Sequence, residues 1–131
     1  MPKPAPIDHA DASDAVKAVY DEIKQARNVP DVNNFWKYIA NDERTLRRTW
    51  DSLREVMAPG ALDPLVKELV YLAVSVTNNC DYCIASHSAA AAKAGMTPAQ
   101  FGELMAVVGM ANETNRLAAG YRIPVDPAFD R

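Results

Sequence analysis

Cysteine and histidine are scarce in this chain of 131 residues, which contains two of each. Both cysteines and one histidine lie within NNCDYCIASH, residues 78–87, whereas His9 is far away in the N-terminal segment. A closed structural zinc site needs four such ligands. We therefore expect no metal site, although a catalytic zinc held by two cysteines and one histidine stays open by count. The chain has no Gly-rich phosphate loop either, so we expect no bound cofactor.

Long apolar runs are also missing. No run approaches the ~18 residues needed to cross a bilayer, and the first residues, MPKPAPIDHADAS, carry no apolar signal-peptide segment. The net charge is −3 at pH 7, which argues against binding to nucleic acid or to an anionic membrane surface. We therefore expect a cytoplasmic protein with neither as a partner. In such a reducing compartment stabilising disulfides are uncommon, whereas catalytic or redox-sensing ones are expected.

Helical periodicity extends through almost the whole chain. Ser13 can cap a first helix and Asp42 a later one. Apolar residues repeat at helical spacing in three segments: Val16, Val19, Tyr20 and Ile23; Val32, Phe35, Trp36 and Ile39; Leu46, Trp50, Leu53 and Met57. No segment predicts a β-strand. The sequence therefore predicts an all-α helical bundle, organised as one domain over residues 1–131 with an extended arm at 1–12 and a tail at 121–131.

The most apolar helix is predicted over residues 64–77. Asp63 as N-cap and Pro64 as the first helical residue are clear start signals. From Leu65 to Val76 nearly every side of this helix is apolar. Helices of this kind are buried in a core or between subunits. Because a chain of this size has little interior, we expect a homo-oligomer.

Two further helices follow. CDYCIASHSAAAAKAG predicts a helix with Gly95 as its C′ residue. Thr97 begins a last long helix, which ends at Gly120. Within that helix we interpret Gly102 and Gly109 as sites of close helix contact.

The cysteine pair lies at the start of the first of these helices. Cys80 and Cys83 are three residues apart, so they share a helix face and can form an intramolecular disulfide. His87 is four residues beyond Cys83 on the same face. A helix N-terminus and a neighbouring histidine both favour a thiolate. A structural disulfide and a redox-active pair with its own base both remain open, but a bridge that closes so short a loop stabilises little.

Glu68 interrupts the apolar helix, three residues after Leu65 and four before Leu72. An unpaired buried carboxylate is costly, and such a group can serve as a general acid or base. An ion pair with an arginine of a neighbouring helix, or an exposed edge position, would explain Glu68 equally well. If the two helices pack antiparallel, Glu68 comes beside the helix that begins at Cys80.

These residues together carry a resemblance. Glu68 twelve residues before Cys80, then Cys83, then His87, resembles the E-x11-C-x-x-C-x3-H signature of AhpD-like alkylhydroperoxidases, which belong to the carboxymuconolactone decarboxylase superfamily. The similarity covers roughly residues 53–109. It implies an all-helical fold assembled as trimers or hexamers, and thiol-dependent reduction of a peroxide substrate. It also implies an external lipoyl-type dithiol reductant, supplied by a lipoyl-bearing protein, with a peroxiredoxin as a further partner.

The resemblance also implies a role for each site residue. Cys83 would attack the peroxide, Cys80 would resolve the product, and His87 and Glu68 would form a proton relay. Helix position alone favours Cys80 as the more reactive thiol, but we follow the resemblance. Tyr82 stands where some members have a histidine, so any role that needs a second imidazole is absent.

Three functions therefore stay open. We predict a thiol-dependent peroxidase or disulfide reductase. A redox-switched oligomeric sensor or chaperone-like protein could use the same disulfide. A non-redox enzyme of the carboxymuconolactone decarboxylase type is disfavoured, because that branch lacks the cysteine pair.

Overall fold

The computed structural model describes residues 3–129. The chain divides into two compact units, residues 1–58 and 59–131. All regular structure in the described residues is helical, comprising six α-helices and two short 3-10 helices. The all-α prediction is confirmed, while the prediction of one domain over residues 1–131 stays a prediction. The outermost residues of the predicted arm and tail, 1–2 and 130–131, lie outside the described residues.

The first unit contains three α-helices: α1 (Asp14–Arg27), α2 (Asn34–Ile39) and α3 (Glu43–Met57). Ser13 and Asp42 cap α1 and α3 through their side-chain oxygens, as predicted. The apolar core consists of Val16, Val19, Tyr20, Ile23, Val32, Trp36, Ala40, Leu46 and Trp50. One expected core residue, Phe35, is instead 39% exposed, because α2 is short and turns only one side toward the core.

The N-terminal arm is held against this unit by backbone and side-chain hydrogen bonds. The backbone N–H of Ile7 donates to the carbonyl of Lys37 at 3.0 Å, and the hydroxyl of Tyr20 donates to the carbonyl of Ile7 at 2.7 Å. A 3-10 helix, His9–Asp11, ends the arm. The ring of His9 is hydrogen-bonded to Asp21 at 2.9 Å. His9 therefore has a defined place in the first unit.

Ion pairs cover the surface of this unit. Glu22 accepts hydrogen bonds from Arg47 at 2.8 Å and from the indole N–H of Trp50 at 3.2 Å. The bond from Arg47 is the main cause that lowers the pKa of Glu22 below its ordinary value. Asp31 accepts a bond from Lys37 at 2.7 Å, which likewise lowers the pKa of Asp31. Folding therefore stabilises the charged form of both carboxylates, Glu22 and Asp31.

The second unit contains α4 (Pro64–Thr77), α5 (Asp81–Lys93) and α6 (Pro98–Gly120). Both α5 and α6 pack against α4. Asp63 caps α4 as predicted, and Thr97 forms a capping box at the start of α6. Gly95 has a positive φ of 108° at the end of α5, which is the conformation expected of a C′ glycine.

Much of the apolar surface of the second unit is exposed. In the single chain Val70 and Val74 of α4 are 53% and 54% exposed, while Leu72 is fully buried, so the prediction that α4 is buried in a core or between subunits stays a prediction for its exposed sides. The close contacts predicted at Gly102 and Gly109 are absent from the described part of the chain, since a Cβ there would meet nothing within 4 Å. No helix within residues 3–129 is both long and apolar enough to span a bilayer.

Candidate redox site

The two cysteines form a disulfide at the start of α5. Their Cα atoms are 5.3 Å apart. Cys80 is the N-cap residue of α5, and its sulfur accepts the backbone N–H of Cys83 at 3.3 Å. The prediction that their spacing allows an intramolecular disulfide is confirmed. A sulfur that accepts an N–H bond at a helix N-terminus is well placed to carry negative charge when the disulfide is reduced.

The backbone of Cys80 is fixed by the end of α4. Asn79 has a positive φ of 55°, and its N–H donates to the carbonyl of Val76 at 3.1 Å, while the N–H of Cys80 donates to that of Ser75 at 3.0 Å. These two bonds constitute a Schellman motif. Asparagine tolerates the left-handed conformation better than most residues, so the Asn78-Asn79 break makes the turn. Cys80 thus belongs to the end of one helix and the start of the next.

Glu68 and His87 meet across the packed pair α4 and α5. The two are joined by a 2.7 Å hydrogen bond between His87 Nδ1 and Glu68 Oε2. Both side chains are mostly buried, each 17% exposed. An ionised carboxylate only accepts, so Nδ1–H donates, and Nε2 of His87 is left free to take or release a proton. Among residues 3–129 the ion-pair partner of Glu68 is thus the His87 imidazole and not an arginine, and Glu68 does not lie at an exposed edge.

His87 is also close in sequence and in space to the cysteines. It follows Cys83 by four residues on the same helix, a spacing that puts the two Cβ atoms about 5–6 Å apart. The structure thus places the cysteine pair, His87 and Glu68 in one region of the second unit. This region therefore holds a disulfide, an imidazole and a carboxylate that is hydrogen-bonded to the imidazole.

Tyr71 is a member of the site that sequence reasoning missed. Its ring stacks on the His87 imidazole with centroids 3.6 Å apart and planes 20° from parallel. Tyr71 follows Glu68 by three residues on α4, so it shares the face of the helix that carries the carboxylate. That spacing was a signal in the sequence, but apolar helices contain aromatic residues too often for it to stand out.

Ser75 is a second residue that the sequence did not single out. It is 4% exposed, and its hydroxyl donates to the carbonyl of Tyr71 at 2.8 Å. Its own carbonyl accepts the N–H of Cys80. Ser75 therefore links the backbone beneath Tyr71 to the backbone of Cys80. Within residues 3–129, this site included, no group of three or more histidine, cysteine or acidic side chains is arranged to hold a metal ion.

Comparison with known proteins identifies the family. The sequence model of the carboxymuconolactone decarboxylase family matches residues 44–126, which include Glu68, Cys80, Cys83 and His87.

The chain belongs to the carboxymuconolactone decarboxylase family.

One solved structure resembles the whole chain. The chain is similar to a crystal structure described as the alkylhydroperoxidase AhpD core from Rhodospirillum rubrum, with 47% sequence identity and a TM-score of 0.94. The match covers 100% of this chain and 98% of the other. The AhpD-like fold and the predicted superfamily are therefore confirmed. No curated protein matches this chain at a significant level.

Proposed function

We propose that this family member is a thiol-dependent peroxidase or disulfide reductase that cycles the Cys80–Cys83 pair. The observation that carries the proposal is the joint presence of a disulfide at the start of α5 and an imidazole, on the same helix, held by a carboxylate at 2.7 Å. A peroxidase needs a thiolate, a resolving thiol and a proton carrier. The four predicted residues can provide these groups.

The proposed cycle transfers two electrons from the thiols to the peroxide. The Cys83 thiolate attacks the terminal oxygen of ROOH, the O–O bond breaks, and RO⁻ takes a proton from His87 to leave as ROH. Cys83 is then a sulfenic acid. The Cys80 thiolate attacks that sulfur, hydroxide leaves and is protonated to water, and the disulfide forms. An external dithiol reduces the disulfide and becomes a disulfide itself.

Glu68 acts in this cycle through the imidazole. Its carboxylate accepts the Nδ1 hydrogen bond, so it fixes the tautomer of His87 and stabilises the positive charge that the ring acquires with a second proton. Without the carboxylate, only packing contacts would hold the His87 ring in place. The direct 2.7 Å bond means that this part of the relay needs no intervening water.

The proposal also includes an electron donor and a cellular compartment. A lipoyl-type dithiol, carried by a lipoyl-bearing protein, is the proposed reductant, and a peroxiredoxin is a further proposed partner. No bound cofactor is required. The proposed location is the cytoplasm, where a reducing environment returns a catalytic disulfide to its thiols.

We also propose that the protein works as a homo-oligomer, as a trimer or hexamer. Large apolar residues of α4 and α6 are exposed in the single chain, including Val70, Val74, Val107, Met110 and Leu117. Exposed apolar surface on this scale is typical of interaction sites. Light scattering at micromolar concentration should give a mass well above the 14.3 kDa of one chain.

The test is a peroxide-consumption assay with several dithiol donors, dihydrolipoamide among them. We expect the wild type to consume many equivalents of peroxide per chain. The matched Cys80→Ser and Cys83→Ser single variants and the double variant should lose turnover while staying folded by circular dichroism. Turnover that survives in the double variant would refute the proposal.

The same assay separates the alternative functions. A redox-switched sensor or chaperone-like protein would consume only about one equivalent per cysteine pair and would change its assembly on oxidation. A decarboxylase-type enzyme would keep its activity after both cysteines are alkylated. Mass spectrometry after mild oxidation should show a loss of two hydrogens without cross-linked chains.

A further inference from the structure

We propose that Tyr71 is a positioning residue that sets the plane of the His87 imidazole for proton transfer. This inference rests on the proposed function. The Tyr71 ring lies 3.6 Å from the imidazole, centroid to centroid, and 20° from parallel with it. Tyr71 itself carries no proton in the proposed cycle, and its effect is exerted through His87.

The hydrogen bond to Glu68 does not by itself fix the imidazole. A single bond at Nδ1 restrains one atom, and coupled rotations about the Cα–Cβ and Cβ–Cγ bonds can still tilt the ring. A second ring pressed against its face removes that freedom, because any turn would drive the imidazole edge into the phenol. Together Glu68 and Tyr71 therefore fix the direction in which Nε2 exchanges its proton.

The stack is closer than neutral aromatic pairs usually are. Such pairs prefer an offset or edge-on arrangement with centroids 4.5–7 Å apart, whereas the centroids of Tyr71 and His87 are 3.6 Å apart. The phenol ring therefore covers one face of the imidazole and limits how far the imidazole can tilt.

The backbone under Tyr71 is firmly held. The Ser75 hydroxyl donates to the Tyr71 carbonyl at 2.8 Å, and Ser75 is buried on α4. Glu68 lies one helical turn earlier on the same face. One face of α4 therefore presents both the carboxylate and the phenol ring to a single side chain of α5.

The other histidine of the chain provides an internal contrast. His9 is also bonded to a carboxylate, Asp21 at 2.9 Å, and it also has a tyrosine nearby. Its partner ring, Tyr20, is 6.4 Å away and tilted by 38°, so the two rings are not stacked. The chain has no other histidine, so its imidazole proton NMR signals come from one stacked and one unstacked ring.

The experiment compares Tyr71→Leu, which removes the ring, with Tyr71→Phe, which keeps the ring and removes the hydroxyl. Tyr38→Leu is the matched control, since Tyr38 is 46% exposed on α2 in the first unit. The first readout is the proton NMR signal of the His87 ring, which the Tyr71 ring current shifts upfield. We expect the shift to disappear only in Tyr71→Leu, with the His9 signal unchanged in every variant.

The second readout is the rate at which dithiothreitol reduces the disulfide. A dithiothreitol thiolate attacks Cys80, Cys83 leaves as a thiolate and takes a proton from His87, and the mixed disulfide is then released by the second dithiothreitol thiol. We expect a loss of about 10-fold in Tyr71→Leu, less than the ~10²-fold that a 1 Å misplacement can cost. Tyr71→Phe should retain the rate of the wild type, and peroxide turnover should follow the same order through kcat.

Several results would overturn the proposal. An unchanged His87 signal in Tyr71→Leu would show that the rings do not stack in solution, and a changed signal with unchanged rates would show that the stack positions nothing. An equal loss in Tyr71→Phe would assign the effect to the hydroxyl. If Tyr71→Leu does not fold by circular dichroism, Tyr71→Gln takes its place.

The dithiothreitol measurement tests the role of Tyr71 separately from the proposed peroxidase function. Reduction by dithiothreitol requires no peroxide, so its rate can be measured whatever the wild type does with peroxide. A wild type without peroxide turnover would refute the proposed function alone. Slower reduction in Tyr71→Leu, with the rate preserved in Tyr71→Phe, would still support the role of Tyr71.

Discussion

The two units of this chain differ in what their side chains are used for. The first holds nine of the buried apolar residues in one cluster, including both tryptophans of the chain, Trp36 and Trp50. The described part of the second, residues 59–129, has three buried apolar residues, Leu72, Ala91 and Val108. Yet the second contains both cysteines and the bonded pair of Glu68 and His87.

This contrast separates stability from chemistry. In the first unit nine apolar side chains form one buried cluster, with ion pairs such as Arg47–Glu22 on its surface. In the second unit apolar side chains such as Val70 and Val74 remain exposed, while Glu68 is bonded to His87 on the helix that begins at the disulfide. The predictions below test whether substitutions in the two units have these different consequences.

The largest effect is expected from a core truncation in the first unit. Leu46→Ala removes a side chain of 0% exposure and should lower the free energy of unfolding by about 2–5 kcal/mol. Leu62→Ala makes the same chemical change in the second unit, where Leu62 is 51% exposed, and should cost about 0.5 kcal/mol or less. Urea unfolding followed by circular dichroism measures both. Equal losses would mean that Leu62 is covered in the assembled protein, and the contrast between units would then disappear.

A smaller effect, on rate instead of stability, is expected at Glu68. Gln keeps the size of the side chain and can still accept a hydrogen bond, but it carries no negative charge and takes no proton. Glu68→Gln should therefore fold and assemble with a peroxidase rate at least ~10-fold lower near neutral pH, the cautious end of the range for general acid–base groups. Raising the pH should recover part of the loss, because hydroxide can deprotonate the thiol directly.

The matched control for this change is Glu103→Gln. Glu103 is an exposed carboxylate on α6 of the same unit, so its loss should leave the pH–rate profile intact. A folded Glu68→Gln protein with the profile of the wild type would make Glu68 a structural residue. A loss of folding in place of a loss of rate would lead to the same conclusion.

The smallest effect is expected from acid on the first unit. Arg47 lowers the pKa of folded Glu22, so its contribution to stability is present above the ordinary Glu value near 4.3 and is lost as the pH falls through the lower folded value. Because Glu22 is 39% exposed, solvent screening limits this contribution to about 1 kcal/mol or less.

Glu22→Gln should therefore flatten the decline in stability between about pH 5 and pH 2. Tryptophan fluorescence during urea unfolding follows the first unit, because both tryptophans belong to it. The difference between variant and wild type should shrink in high salt, which screens exposed ion pairs. An identical acid decline in the two proteins would show that the pair with Arg47 contributes nothing measurable.

Local signals in the sequence predicted the helices well. Ser13, Asp42 and Asp63 each lie directly before a helix and cap it as expected, and Thr97, which was expected at the start of the last helix, also caps it. Capping depends only on residues within one turn, so a pattern of neighbours is enough to identify it. The spacing of Glu68, the cysteines and His87 predicted the family through its resemblance to a known signature, whereas helical periodicity predicted only that Cys80, Cys83 and His87 share a helix face.

Burial and stacking could not be predicted in the same way. Phe35 has the spacing of a core residue, but it is exposed because of how the six-residue helix α2 packs. The spacing alone does not show this packing. The stack of Tyr71 on His87 depends on how closely α4 and α5 approach each other, which no residue pattern specifies. The apolar residues on nearly all sides of α4 predicted that the helix is buried. They did not indicate which sides are buried within the single chain and which remain exposed.

The Schellman motif at Cys80 has a consequence for the speed of the proposed chemistry. The N–H of Cys80 is bonded to the carbonyl of Ser75 in α4, and its sulfur caps α5. The two backbone bonds of the motif, from Asn79 to Val76 and from Cys80 to Ser75, involve no sulfur atom. The two oxidation states can therefore share one main-chain conformation, and only side-chain torsions need to change between them. Electron transfer would then require little structural reorganisation, and each turnover could proceed without waiting for a segment of the chain to refold.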